Sequence, residues 1–243
     1  ENKFRLNPKD VEKAISDKTR MIVINSPNNP TGAVMTSKEI EEVYNIAREA
    51  DVYLLSDEVY ARAVFKNDGI ETCSPSKFDY CKERVIVVNG FSKSFAMTGW
   101  RLGVATGPSE LIGKMNLLLE SELSCVAPFV QKAGVEALRG NQDETFEMRG
   151  EYQKRRDIVV DGLNNLPGIS CIKPQGAFYA FPNIRETGFS SEDFAKFMLD
   201  DAGVALCPGN YFGDNGEGYV RLCYANSIEN IQIINEMYHS FEF

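Results

Sequence analysis

Three short apolar runs constrain the fold more than any other feature of this chain. "MIVIN" (Met21–Asn25), "VYLLSD" (Val52–Asp57) and "VIVVNG" (Val85–Gly90) are rich in Val, Ile and Leu, recur roughly every 30 residues, and stop abruptly in polar residues. Runs of this length and texture read as buried strands. Between the first two lies "TSKEIEEVYNIAREA". Thr36 and Glu39 form a capping-box pair there, and Ile40, Val43, Tyr44 and Ala47 recur at helical spacing. Strand, helix and strand in this order indicate βαβ units. The predicted class is α/β, a mostly parallel sheet with helices on both faces. "RLGVAT" (Arg101–Thr106) supplies a further strand, and "LNPKDVEKAI" a leading helix with Asn7 as N-cap and Pro8 in its first position.

The texture changes after Glu110. Helical patterns dominate "LIGKMNLLLESEL", "FVQKAGVEALRG" and "ETFEMRGEYQKRRDIVVDGLNNL". "ISCIKP" and "GAFYAF" then read as strands of a different sheet. "SSEDFAKFMLDDAG" is a helix capped by Ser190 or Ser191 and stopped by Gly203. "GYVRLCYA" is a strand and "SIENIQIINEMYHSF" a last amphipathic helix. The expected division is 1–140, part of a larger α/β domain, and 141–243, a smaller α+β domain. The first domain shows only three or four strands, where sheets of this kind usually have about five or six. The expectation is that an N-terminal portion of that layer is missing from the chain.

Composition removes several function classes. A net charge of −9 argues against a nucleic-acid partner, whose phosphates need a basic face. No apolar stretch reaches membrane-spanning length. The six cysteines include no C-x-x-C pair, which reads as reduced thiols in a cytoplasmic protein. The single histidine, His239, lies near the C-terminus, so a histidine metal site or a Ser-His-Asp triad is not expected.

In open parallel sheets ligands bind beyond the carboxyl ends of the strands. After "MIVIN" comes "SPNNPTG", with Asn28 and Asn29. After "VYLLS" come Asp57, Glu58 and Tyr60. After "VIVVN" come Gly90, Ser92 and Lys93, and then Arg101. A lysine can form a Schiff base, and an aspartate can keep a ring nitrogen protonated. A phenol and an amide can bond a ring oxygen, while an arginine and a serine suit a phosphate. Together the set fits pyridoxal phosphate. Taken singly, each has a plainer reading: a helix cap for Asp57 and Glu58, a surface charge for Lys93, a turn for "NNPTG". The joint pattern on successive strand ends is what points to a site.

These residues resemble a known family. "SPNNPTG", "SDEVY" and "GFSKSFAMTGWRLG", with "KPQGAFYAF", "PGNYFG" and "GYVRLCYA" further on, are similar to class I and II aminotransferases of pyridoxal-phosphate fold type I, in the aspartate and aromatic subgroup. The resemblance implies that Lys93 binds the cofactor and carries the substrate α-proton. It implies that Asp57 holds the pyridine nitrogen, that Tyr60 and Asn29 bond the ring oxygen, and that Arg101 with Ser92 holds the phosphate. Arg221 would clamp the substrate α-carboxylate, together with Asn29; without the resemblance, an interior arginine paired to an acid is the preferred reading. The resemblance also implies a cis Asn29–Pro30 peptide and a homodimer acting on an amino acid and a 2-oxo acid by ping-pong chemistry. A lyase on the same fold, or a ligand-sensing domain of a transcriptional regulator, remain alternatives. Two departures stand out. Gly90 occupies a position where relatives often carry a serine or threonine phosphate ligand. The family's N-terminal portion, with its phosphate-cradling loop and stacking aromatic, has no match, so weak cofactor binding is expected of this chain alone.

Overall fold

The computed structural model describes residues 2–65 and 69–232. It divides into two compact units. Unit 1 comprises 1–27 and 34–147; unit 2 comprises 28–33 and 148–243.

In unit 1, α1 (Pro8–Ala14) starts where the Asn7 side chain accepts the Lys9 N–H. β1 (Met21–Asn25) follows. α2 (Ser37–Glu49) opens on the expected capping box. Thr36 Oγ1 accepts the Glu39 N–H at 3.2 Å, and Glu39 Oε2 accepts the Thr36 N–H at 2.7 Å. β2 (Tyr53–Asp57) and β3 (Val85–Gly90) pair in parallel, as do β1 and β2. After β3 come α3 (Phe91–Ser94) and a 3₁₀ turn (Thr98–Trp100), then β4 (Gly103–Thr106).

β4 begins two residues later than the sequence suggests and runs antiparallel to β3, with Gly103 opposite Gly90. A parallel return needs a crossover of a dozen or more residues, usually a full helix. The four-residue α3 is too short for one. The sheet order is β1-β2-β3-β4. Its core on one face joins Ile22, Ile24, Leu54 and Val85 to Ile40, Val43, Tyr44 and Ala47 of α2. α4 (Ser109–Leu123) and α5 (Pro128–Arg139) complete the unit.

α6 (Asp143–Asn164) runs across the boundary at 147/148 into unit 2. There β5 (Tyr179–Ala180), β6 (Cys207–Pro208) and β7 (Val220–Cys223) form an antiparallel sheet of order β5-β7-β6. α7 (Ser191–Ala202) is capped by Ser190, which accepts the Asp193 N–H, and ends at left-handed Gly203. "ISCIKP" makes only an isolated bridge, Ser170 to Asn183. The Asn164 side chain holds both the N–H and the carbonyl of Cys171, taking the place of a strand partner. "GAFYAF" contributes only its Tyr-Ala pair as strand; Ala177, at φ 57°, breaks the extension before it. The last predicted helix is present over 228–232, and its remainder, with His239, lies outside the described residues.

Candidate active site

The parallel register sets Asp57, the last residue of β2, opposite Val88 of β3. Neighbouring strands lie about 4.8 Å apart, so the two strand ends share one edge of the sheet. Asp57 Oδ1 accepts the Val59 N–H at 3.2 Å, and among the described residues its Oδ2 has no hydrogen-bond partner. The turn after Asp57 is fixed twice. The Glu58 N–H donates to the Val88 carbonyl at 2.8 Å. Glu58 Oε1 accepts from Ser56 Oγ at 3.1 Å and from Ser74 Oγ at 2.5 Å. Tyr60 follows, buried, at the head of the 3₁₀ turn Ala61–Ala63.

Lys93 stands on α3, directly beyond β3. Phe91 anchors this turn: it is buried against Leu102 and Val130 and stacks on Phe95 at 5.4 Å. Ser94 is buried too and reaches the Val59 carbonyl at 3.4 Å. Ser92 and Lys93 are half-buried. The Phe91 N–H donates to the Leu102 carbonyl at 3.1 Å, which places Ser92 and Arg101 each one residue from a bonded pair. Arg101 is exposed, at φ 52°, and donates one N–H to the Thr98 carbonyl at 3.1 Å. Its remaining donors have no partner among the described residues. Unit 1 therefore brings Asp57, Tyr60, Ser92, Lys93 and Arg101 to neighbouring segments at one sheet edge.

Unit 2 holds Asn29 and Arg221. The polar turn that follows β1 closes on itself. Asn28 Oδ1 accepts from the Thr31 N–H and hydroxyl, and the Gly32 N–H donates to the Asn28 carbonyl. The Gly32 carbonyl accepts from the N–H groups of Gln175 and Gly176 at 2.9 and 3.0 Å. Gly32 has φ 66°, and a Cβ there would lie 2.5 Å from Pro174 Cβ and 2.9 Å from two carbonyl oxygens. Only glycine allows this docking. The Asn29–Pro30 peptide is cis, and so is Ser26–Pro27.

Docked in this way, Asn29 meets Arg221, 192 residues away in sequence: Arg221 Nη1 donates to Asn29 Oδ1 at 2.9 Å. Arg221 lies on β7, the central strand of its sheet. Its guanidinium carbon sits 4.7 Å from the centre of the Tyr179 ring and 5.0 Å from that of Phe212. Among the described residues no carboxylate pairs with it, so the reading as an interior arginine bound to an acid does not describe it. Arg156 does fit that reading. It is 1% exposed, pairs with Asp157 at 2.9 Å, and donates to the Pro174 carbonyl at 2.9 Å.

Sequence reasoning passed over Glu58 as a cap or solvated charge and gave no role to Tyr179 and Phe212. The signal for the rings was the density of aromatics in "GAFYAF" and "NYFG", each a few residues from a turn.

The geometry of unit 1 defines a class: an α/β protein with a lysine and an acid at one edge of a mostly parallel sheet. The profile of the family "Aminotransferase class I and II" matches residues 1–236, and the chain belongs to that family. It is 45% identical to aromatic-amino-acid aminotransferase 2 of Thermococcus litoralis over 96% of its own length and 59% of that protein. It is 44% identical to an aspartate aminotransferase of Pyrococcus abyssi, with the same coverage. The crystal structure of an aromatic aminotransferase from Pyrococcus horikoshii superposes with a TM-score of 0.93 at 43% identity, covering 98% of this chain and 64% of that one. The chain thus spans about three fifths of the length of the relatives it matches.

Proposed function

We propose that this chain is part of an aminotransferase that moves an amino group between an L-amino acid, of aspartate or aromatic type, and a 2-oxo acid. The observation that carries this reading is Arg221: a half-buried guanidinium, oriented by Asn29 and flanked by two rings, with no acid of its own among the described residues. Such a group suits a planar carboxylate, which takes two parallel hydrogen bonds from a guanidinium.

Members of the family use pyridoxal phosphate, and the donors of unit 1 fit that group. Among the described residues Asp57 has an acceptor oxygen without a partner and Arg101 has donors without one, and Ser92 offers a hydroxyl on the neighbouring segment. When bound, the cofactor supplies an electron-withdrawing ring that stabilises negative charge at the substrate α-carbon. The chain's own groups then have distinct tasks. Asp57 accepts a hydrogen bond from the ring nitrogen and keeps it protonated. Tyr60 donates its phenol hydrogen to the ring oxygen. Arg101 and Ser92 hold the phosphate. The Lys93 amine takes a proton from the α-carbon and returns one. Arg221 holds the α-carboxylate, and Asn29 fixes the guanidinium. A homodimer in the cytoplasm is the assembly and setting this reading carries; among the described residues no helix is long and apolar enough to cross a membrane.

The test is product identity. The 243-residue chain, incubated with pyridoxal phosphate in large excess, aspartate or phenylalanine, and 2-oxoglutarate, is expected to turn over slowly and to form the donor's oxo acid and glutamate in equal amounts. Release of ammonia without glutamate assigns a lyase and overturns the reading.

A further inference from the structure

Arg221 is the end of a chain of aromatic contacts that lies wholly within unit 2. Phe212, one of its two flanking rings, meets Phe181 edge-on, at 6.2 Å and 88°. Phe181 stacks flat on Tyr219, at 5.1 Å and 3°. Tyr219 in turn carries Arg185, whose guanidinium carbon lies 4.5 Å above its ring and whose Nη1 donates to the phenol oxygen at 3.1 Å. Arg185 also donates to the Glu217 carbonyl at 2.9 Å.

The two flanking rings are held differently. Tyr179 is a strand residue, buried and packed against Phe178 at 4.9 Å. Phe212 ends the 3₁₀ turn Gly209–Phe212, and 38% of it is exposed. Its loop is nevertheless rigidly specified. The Gly209 N–H donates to the Tyr219 carbonyl at 2.9 Å, and the Gly216 N–H to the Gly213 carbonyl at 2.8 Å. A Cβ on Gly209 would collide with the Gly216 carbonyl, and one on Gly216 with the Gly209 carbonyl. Backbone lies on backbone, so the loop has little freedom to move its last ring.

We propose that Phe212 is a positioning residue for Arg221: its ring, held by the Phe181–Tyr219–Arg185 stack, restrains the guanidinium before a carboxylate arrives. The inference rests on the role given to Arg221 under the proposed function. An arginine side chain has many rotamers to lose, and restraint in the free protein transfers that loss from binding to folding. A ring face beside a guanidinium supplies the restraint through the attraction between cation and ring quadrupole. Phe212 adds a second ring to the one that Tyr179 supplies, beside a guanidinium that donates through Nη1 to Asn29.

The test uses the 243-residue chain and two readouts: rotation of the Arg221 guanidinium by NMR without ligand, and the dissociation constant of succinate by calorimetry. Phe212→Leu keeps apolar bulk but removes the ring. It is expected to speed guanidinium rotation and weaken succinate binding, each about 3–10-fold, while Phe212→Tyr restores both. Arg185→Gln, which loosens the far end of the stack, gives the same changes at smaller size and stands in if the Phe212→Leu chain does not fold. Unchanged rotation in these variants overturns the proposal. If rotation changes as expected but the wild-type chain binds no succinate, the positioning role stands and the reading of Arg221 as a carboxylate clamp fails.

Discussion

The two faces of the sheet in unit 1 are built from the same strands and fare differently. On one face Ile22, Ile24 and Leu54 are buried beneath α2. On the other, Met21, Val23 and Tyr53 stay exposed, Val23 at 62%. α2 buries four residues, while α4, of similar length and more apolar, buries none; Leu117, Leu118 and Leu123 are each about two-thirds exposed. The difference is one of degree: beneath α2 the strand residues are buried together, while on the other face Ile86 of β3 is buried and Val23 of β1 and Tyr53 of β2 stay open. The site residues of unit 1 stand at strand ends, so Asp57 and Lys93 are set by β2–β3 pairing and by the Phe91 cluster, whichever face is open.

Substitutions can break or sharpen this contrast. The largest effect is expected on the covered face: Leu54→Ala lowers unfolding free energy by about 2–5 kcal/mol in urea titrations. A loss below about 1 kcal/mol would mean the face is not packed as described. Thiol labelling gives a second measure of cover. Burial pushes the Cys171 thiol up to about 12, whereas Cys81, Cys125 and Cys223 are exposed. Only the thiolate reacts, so at pH 8 Cys171 is expected to alkylate roughly 1,000-fold more slowly than an ordinary thiol. Its rate rises with pH up to about 12, because raising pH creates thiolate; mass spectrometry of iodoacetamide adducts follows this. Equal labelling of Cys171 and Cys81 contradicts the burial. Gly32→Ala comes next, with about 1–3 kcal/mol of overpacking and a weaker Asn29–Arg221 contact, read as lost stability together with weaker succinate binding. The smallest effects belong to the open face. Val23→Thr shifts stability by no more than about 0.5 kcal/mol. Changing Leu117, Leu118 and Leu123 to Glu leaves the melting point unchanged but reduces self-association in sedimentation, since large exposed apolar patches associate.

Much of the fold was legible because it is local. The Thr36–Glu39 box, the Asn7 and Ser190 caps and the Gly203 stop all follow from short-range chemistry, and all are present. What escaped was decided by partners distant in sequence. A continuous apolar run such as "MIVIN" does not say which face finds cover. The direction of β4 depended on the length of the connection, and the loss of strand at "ISCIKP" on the Asn164 side chain. For the candidate site, residues on successive strand ends could be picked out from residue type and order. The partnership of Asn29 with Arg221 was legible only through family resemblance, because nothing local links residues 192 apart. The rings around Arg221 were visible as composition and not as contacts.

The most direct measurement reduces the chain with borohydride in the presence of pyridoxal phosphate and maps the modified lysine by peptide mass spectrometry. The account predicts the pyridoxyl group on Lys93, with Lys93→Ala and Asp57→Ala each abolishing specific labelling. Preferential labelling of any other lysine in the wild-type chain contradicts it.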